Sequence, residues 1–162
     1  ARAWAAATAG PDGPGAFEAN SADAALAALA GHAGPVAFVA PDVPWLDAAL
    51  SQALYDDLAD GVGVTFAPTY DGSPFLVATP AVDAELLTLA CSHRDGLFAA
   101  VADRAARSER AGERGGAMPV GMLRSERRLA TAEDARAAAA DPRTPLEFGA
   151  LLAAGLDVRA RR

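Results

Sequence analysis

The apolar and polar positions of this chain fall into two alternating periods. Leu46, Ala49, Leu50, Ala53, Leu54 and Leu58 recur every three to four residues, the spacing of one helix face. Asp47 stands in front of them as an N-cap and Gly61 behind them as a stop, so the pattern predicts a helix from about 47 to 59. Two short unbroken apolar runs flank this helix, at 35–40 and 62–67. Each lies between turn signals and is too short for a helix, which predicts buried strands. Asp71-Gly72 marks a turn, and residues 75–79 predict a third strand, antiparallel to its neighbour.

Upstream, Ser21 caps a predicted helix over 22–30 that Gly31 closes. Residues 1–20 read as a loose lead-in. Within it, 2–9 fits a short helix or strand before the breaker at 10–15, and Trp4 is either a loose anchor or packed onto a preceding segment. Downstream, helices are expected at 82–90 and 96–107, a turn-rich stretch at 112–116 and a short strand at 119–123. Thr131-Ala132-Glu133-Asp134 resembles a capping box with Asp in place of Glu and opens a helix to about 140. Thr144-Pro145-Leu146-Glu147 predicts a second box, with Pro at the first helical position. Its helix is expected to stop near Gly155, leaving a basic tail over 156–162.

Strands and helices alternate with short connections. That order predicts an α/β fold, a three-layer sandwich on a mostly parallel sheet, as a single domain over 1–162. A chain of 162 residues is long enough to bury a core. Much of its apolar content is Ala, so the core volume must come from Leu, Val, Phe and Trp.

The net charge is −7, Lys is absent, and the charge is uneven. Residues 1–103 hold 13 acids and 2 Arg, whereas 104–162 hold 8 acids and 12 Arg. The acidic first part argues against nucleic-acid binding, while the Arg-rich remainder suits a local anion. Cys91 is the single cysteine, which rules out an internal disulfide and fits a reducing, cytoplasmic setting. No apolar run approaches the roughly 20 residues of a membrane span, and no signal peptide is visible. The chain opens on Ala1, so an N-terminal piece is expected to be missing.

Candidate chemistry concentrates in residues 35–79. One strand ends in Pro41-Asp42-Val43-Pro44-Trp45-Leu46, and the next leads to Asp71-Gly72-Ser73-Pro74-Phe75. Open α/β sheets bind ligands at the carboxyl ends of their strands, where Asp42 and Asp71 are both expected. Two carboxylates there suit Mg²⁺ or Mn²⁺ and, through it, phosphate oxygens. Both also have a plain reading as turn residues.

These motifs resemble the bacterial GT-A-like family DUF2064, of the nucleotide-diphospho-sugar transferase superfamily. In that family a strand ends in Asp-x-Pro-x-Leu, and a later strand is followed by Asp-Gly-Gly and an aromatic strand. Met122-Leu123-Arg124 and residues 131–136 resemble its closing strand and helix, so the likeness runs from about 15 to 140. It implies Asp42 as metal contact and catalytic residue, Asp71 as substrate-side catalytic residue, and Gly72 and Arg128 against the nucleotide phosphates.

The departures are specific. The family's Asp-Val-Asp-Thr corresponds to Arg128-Leu129-Ala130-Thr131, and Ser73 replaces a Gly. Arg128 repels a metal ion but can pair with phosphate directly. The family's basic phosphate-binding opening segment is not found here. Three functions remain open: a metal-dependent, nucleotide-sugar-using glycosyltransferase-like enzyme, truncated or degenerate; a nucleotidyltransferase taking an NTP and a phosphorylated acceptor; and a non-catalytic binding or assembly domain.

Other residues have plainer readings. Cys91-Ser92-His93 lies at a predicted helix end with no second ligand pair. His32 suits a helix C-terminus. Arg104, Arg107, Arg110 and Arg114, interleaved with Glu109 and Glu113, read as a solvated helix face rather than an anion stripe. Trp45 is expected to wedge the strand–helix corner, and Glu133 and Asp134 to serve a helix N-terminus.

Overall fold

The computed structural model describes residues 2–9, 15–91, 98–100, 103 and 119–160. The named elements are α1 (Arg2–Thr8), α2 (Ala22–Ala28), β1 (Val36–Val39), α3 (Ala48–Ala59), β2 (Val64–Pro68), β3 (Pro74–Thr79), α4 (Ala84–Cys91), β4 (Val120–Met122), α5 (Ala132–Ala140) and α6 (Leu146–Ala160). The expected Arg104–Arg114 stripe, the 112–116 turn and Ser92-His93 lie outside the described residues.

The four strands form one sheet in the order β1-β3-β2-β4. β3 runs antiparallel to both β1 and β2, while β2 and β4 pair in parallel. The sheet is therefore mixed, not mostly parallel as the strand–helix alternation predicts. The Asp71-Gly72 turn is the cause. It joins β2 to β3 as a tight hairpin, and a hairpin can only connect antiparallel strands. β1, β2 and β4 still share one direction, so their carboxyl ends meet at a single rim.

β2 is buried at all five positions, which explains its unbroken apolar run: it is covered on both faces. On one face Leu50 and Leu54 of α3 pack with Ala67, Leu76, Ala78 and Phe75, and Trp4 of α1 closes the edge. On the other, Leu86 and Ala90 of α4 pack with Val64, Phe66 and Val77. Helix, sheet and helix make the three layers.

Local capping matches the sequence at most ends. The Asp47 carboxylate accepts from the Leu50 N–H at 2.9 Å, and Ser21 Oγ accepts from Ala24 N–H at 3.2 Å. Thr131 and Asp134 form the reciprocal box expected of them. Within the expected lead-in, α1 docks on α3. Trp4 Nε1 donates to the Asp47 carbonyl at 2.8 Å, and the Tyr55 hydroxyl bonds the Thr8 carbonyl.

The end of the chain departs from expectation twice. The Thr144 hydroxyl donates to the Ala138 carbonyl at 2.6 Å and takes the Trp45 Nε1–H at 3.1 Å, so it ties α5 to the β1–α3 corner. α6 also passes through Gly155 and continues to Ala160. Among the described residues no helix is long and apolar enough to cross a membrane.

Candidate functional site

The rim holds three loops. The first, 40–47, follows β1, with Val43 and Trp45 buried and Asp42 turned to the rim. The second is the β2–β3 turn. Thr69 N–H donates to the Ser73 carbonyl at 2.7 Å and Gly72 N–H to the Thr69 carbonyl at 2.9 Å. Gly72 has φ +89°, a left-handed conformation that favours glycine, and a Cβ there would meet nothing within 4 Å. The turn's backbone conformation is what calls for a glycine here.

The third loop, 123–131, begins beside β2 and ends at β1. Leu123 N–H reaches the Phe66 carbonyl at 2.6 Å, Glu126 N–H the Pro68 carbonyl at 3.1 Å and Leu129 N–H the Asp42 carbonyl at 2.9 Å. β1 and β4 are the two edges of the sheet. The loop thus crosses the whole carboxyl end like a strap.

Arg128 joins the two predicted acids. Its Nε and Nη2 both address Asp42 Oδ2, at 2.7 and 2.5 Å. Asp42 Oδ1 is buried with no hydrogen-bond partner among the described residues. Asp71 Oδ1 takes the Ser73 hydroxyl at 2.5 Å, the Thr69 hydroxyl, and the Ser73 N–H at 2.9 Å. The Ser73 hydroxyl is the main reason that its pKa falls to about 2. The Thr69 hydroxyl and Ser73 N–H add to this, and Arg128 contributes by charge. Asp71 is therefore ionised, organises its own turn, and lies within electrostatic reach of Arg128. The structure thus gathers Asp42, Asp71, Gly72 and Arg128 on one rim. Cys91, whose thiol burial pushes upward, lies at the end of α4.

The resemblance implied a divalent cation at Asp42. A cation there would share the carboxylate with a guanidinium already on Oδ2. Among the described residues no three His, Cys, Asp or Glu side chains group to hold a metal. The orphaned Oδ1 fits a hydrogen-bond donor better than it fits an ion beside Arg128.

Sequence reasoning missed the charged scaffold under the rim. Glu126 is fully buried. Its Oε1 accepts from Arg124 Nε at 2.8 Å, and Arg143 Nη1 lies 3.2 Å from both carboxylate oxygens. Arg124 also reaches Asp47 Oδ2 at 2.9 Å and the Trp45 carbonyl at 3.2 Å. Arg143 lies 4.7 Å over the Trp45 ring. Arg127, 5.4 Å over the exposed Tyr70 ring, pairs with Asp134 at 3.1 Å. The run Arg124-Ser125-Glu126-Arg127-Arg128 was the available signal: a lone acid among four polar neighbours directly after a strand.

No protein-family model matches the sequence, and no curated protein matches it. Among solved structures, the chain is similar to a candidate nucleotide-diphospho-sugar transferase from Desulfovibrio desulfuricans G20. The TM-score is 0.61 at 14% identity, over 94% of this chain and 67% of that one. The fold is GT-A-like. At that identity the likeness extends to the architecture, and the rim's chemistry has to be argued from its own residues.

Proposed function

We propose that this domain binds a nucleotide sugar at the rim and acts as a glycosyltransferase-like module of the family its motifs resemble, DUF2064. The observation that carries the reading is Arg128, held by Asp42 where the sheet's carboxyl ends meet. A guanidinium is a planar, permanently charged fork that matches two phosphate oxygens. Arg128 takes the diphosphate and offsets the negative charge that grows on it as the sugar–phosphate bond lengthens. Asp42 Oδ1, buried and unpartnered, accepts a hydroxyl of the ligand. Asp71, ionised at neutral pH, faces the substrate from the neighbouring turn. The exposed Tyr70 ring, braced by Arg127, offers a flat surface beside them.

The closed pair of Asp42 and Arg128 favours a second reading, a binding domain without turnover. Two charges matched to each other leave less for a transition state. A nucleotidyltransferase would instead prefer a free NTP.

The test is a thermal-shift and calorimetric panel of UDP- and GDP-sugars and NTPs, with Mg²⁺, with Mn²⁺ and with EDTA. A ligand at about 100 times its Kd stabilises the fold by roughly 2.7 kcal/mol, a shift of several degrees. The proposal expects a nucleotide-sugar shift that persists in EDTA and disappears in Arg128→Ala. A shift that needs Mg²⁺ or Mn²⁺ returns the role to a metal. An NTP-only shift selects the nucleotidyltransferase, and no shift with any ligand refutes nucleotide binding.

A further inference from the structure

Glu126 is the least explained residue of the rim. Within the strap, residues 123–131, it alone is buried, while Leu123 and Leu129 are only half-buried. The strap therefore has a carboxylate where an apolar anchor would be expected. A carboxylate is a costly anchor. Its removal from water has to be offset by its partners, and apolar residues of the same volume often hold a fold as well or better. Stability by itself does not call for an acid at this position.

What the acid supplies is direction. Its oxygens meet two guanidiniums, Arg124 from the strap and Arg143 from the connection between α5 and α6. Each guanidinium is held elsewhere as well. Arg124 Nη2 lies 2.9 Å from Asp47 Oδ2 and 3.2 Å from the Trp45 carbonyl. Arg143 Nη2 lies 3.0 Å from Asp141 Oδ2, and its guanidinium covers the Trp45 ring. Donors fixed in this way leave the carboxylate one orientation. The backbone agrees with it: Glu126 N–H donates to the Pro68 carbonyl at 3.1 Å, and the residue forms a parallel bridge with Thr69. Thr69 is the residue whose hydroxyl holds Asp71.

Arg128 stands two residues further on. Its backbone is pinned on one side by Glu126 and on the other by the Leu129 N–H, which donates to the Asp42 carbonyl. Between these pins its Nε and Nη2 both reach Asp42 Oδ2. Such a grip tolerates little displacement, because hydrogen bonds weaken steeply off axis and a misplacement of about 1 Å is enough to lose a productive contact.

We infer that Glu126 is a positioning residue: clamped between Arg124 and Arg143, it sets the register of the strap and so aims the Arg128 guanidinium at Asp42 and at the phosphate oxygens of a ligand. The phosphate contact rests on the nucleotide-sugar reading above, whereas the hold on Asp42 is independent of it.

The test is Glu126→Gln, which keeps the shape and removes the charge, examined first without ligand. The NMR resonance of the Arg128 Nε–H, assigned by its loss in Arg128→Lys, reports the bond to Asp42. In Glu126→Gln this resonance is expected to move to the position of a solvated Arg while the circular dichroism stays that of the wild type. A role confined to stability would lower the urea midpoint and leave the resonance in place, and that result overturns the inference. The second measurement is calorimetry with inorganic pyrophosphate in EDTA, where Glu126→Gln is expected to bind about tenfold more weakly than the wild type. An unchanged affinity also overturns the inference, because Arg128 would then need no aim. A wild-type chain that binds neither pyrophosphate nor a nucleotide sugar refutes the proposed function, and the resonance alone then decides the role of Glu126. If Glu126→Gln does not fold, Arg143→Lys loosens the same carboxylate by exchanging a planar fork for a single ammonium, and the resonance should move in the same direction.

Discussion

Removing Arg143 tests whether the charged scaffold is a coupled unit. Glu126 is fully buried, whereas its partners Arg124 and Arg143 are 38% and 49% exposed. The asymmetry matters. A released Arg can turn into water, but a released Glu126 carboxylate cannot. Arg143→Ala leaves Oε2 without the donor it now has and keeps only the Arg124 bond on Oε1. It also removes the cation from the Trp45 face, worth about 0.5–1 kcal/mol at a partly exposed site. Breaking a buried ion pair costs roughly 3–5 kcal/mol, and a charge-assisted hydrogen bond carries roughly 1.5–3. Because Arg124 remains, the expected loss is about 2–4 kcal/mol. Glu126→Gln keeps the shape and removes the charge. In the Arg143→Ala background it should therefore cost less than in the wild type, by about 1–2 kcal/mol. Urea unfolding of the four proteins measures this, and fluorescence is a suitable probe because Trp45 lies beneath Arg143. Two single costs that add to within about 0.5 kcal/mol would refute the coupled network.

Asp71→Asn should change the acid limb of stability. The folded pKa of about 2 lies below the ordinary aspartate value of 3.8, so Asp71 stabilises the fold above pH 4 and that contribution is lost as pH falls toward 2. Since Asp71 is exposed, the amount after solvent screening is at most about 1 kcal/mol; a variant with an unchanged acid limb would remove Asp71 as the anchor of its turn. Gly121→Ala should destabilise by about 1–3 kcal/mol, because its Cβ would run into the Asp57 carboxylate and come within 2.9 Å of Thr65 Oγ1. Asp57→Ala should recover most of that loss in the same unfolding assay, and failure to do so would place the strain elsewhere.

α3 was legible because each of its signals is local. Asp47, the four-residue spacing of Leu50 and Leu54, and Gly61 all act within one helix. β1, β2 and β3 were legible as short apolar runs for the same reason, and the antiparallel β2–β3 hairpin was legible from Asp71-Gly72; that β3 also inserts antiparallel beside β1 depends on the tertiary path, which is why the sheet was expected to be mostly parallel. α6 overran its expected end because one helical Gly costs only about 1 kcal/mol, and its Ala and Leu neighbours outweigh that. At the rim, Asp42 and Asp71 could be read from their places after strands. Glu126 could not, since nothing local separates a buried acid from a surface one. Its burial depends on Arg143, seventeen residues away in sequence. Arg128 was legible as a cation, whereas its bond to Asp42 spans 86 positions.

The strap over the sheet also has a kinetic consequence. Leu129 can reach Asp42 only after β3 and β2 have taken their places between the two edges. The strap closes a long loop for few contacts, and such closures come late in folding. The rim is then assembled last and opens first, before the hairpin beneath it loosens. The Leu129 amide, which donates to the Asp42 carbonyl at 2.9 Å, becomes a reporter of that opening by hydrogen exchange. A ligand that bridges Arg128 and Asp42 would slow the exchange of this amide ahead of any in the β2–β3 hairpin.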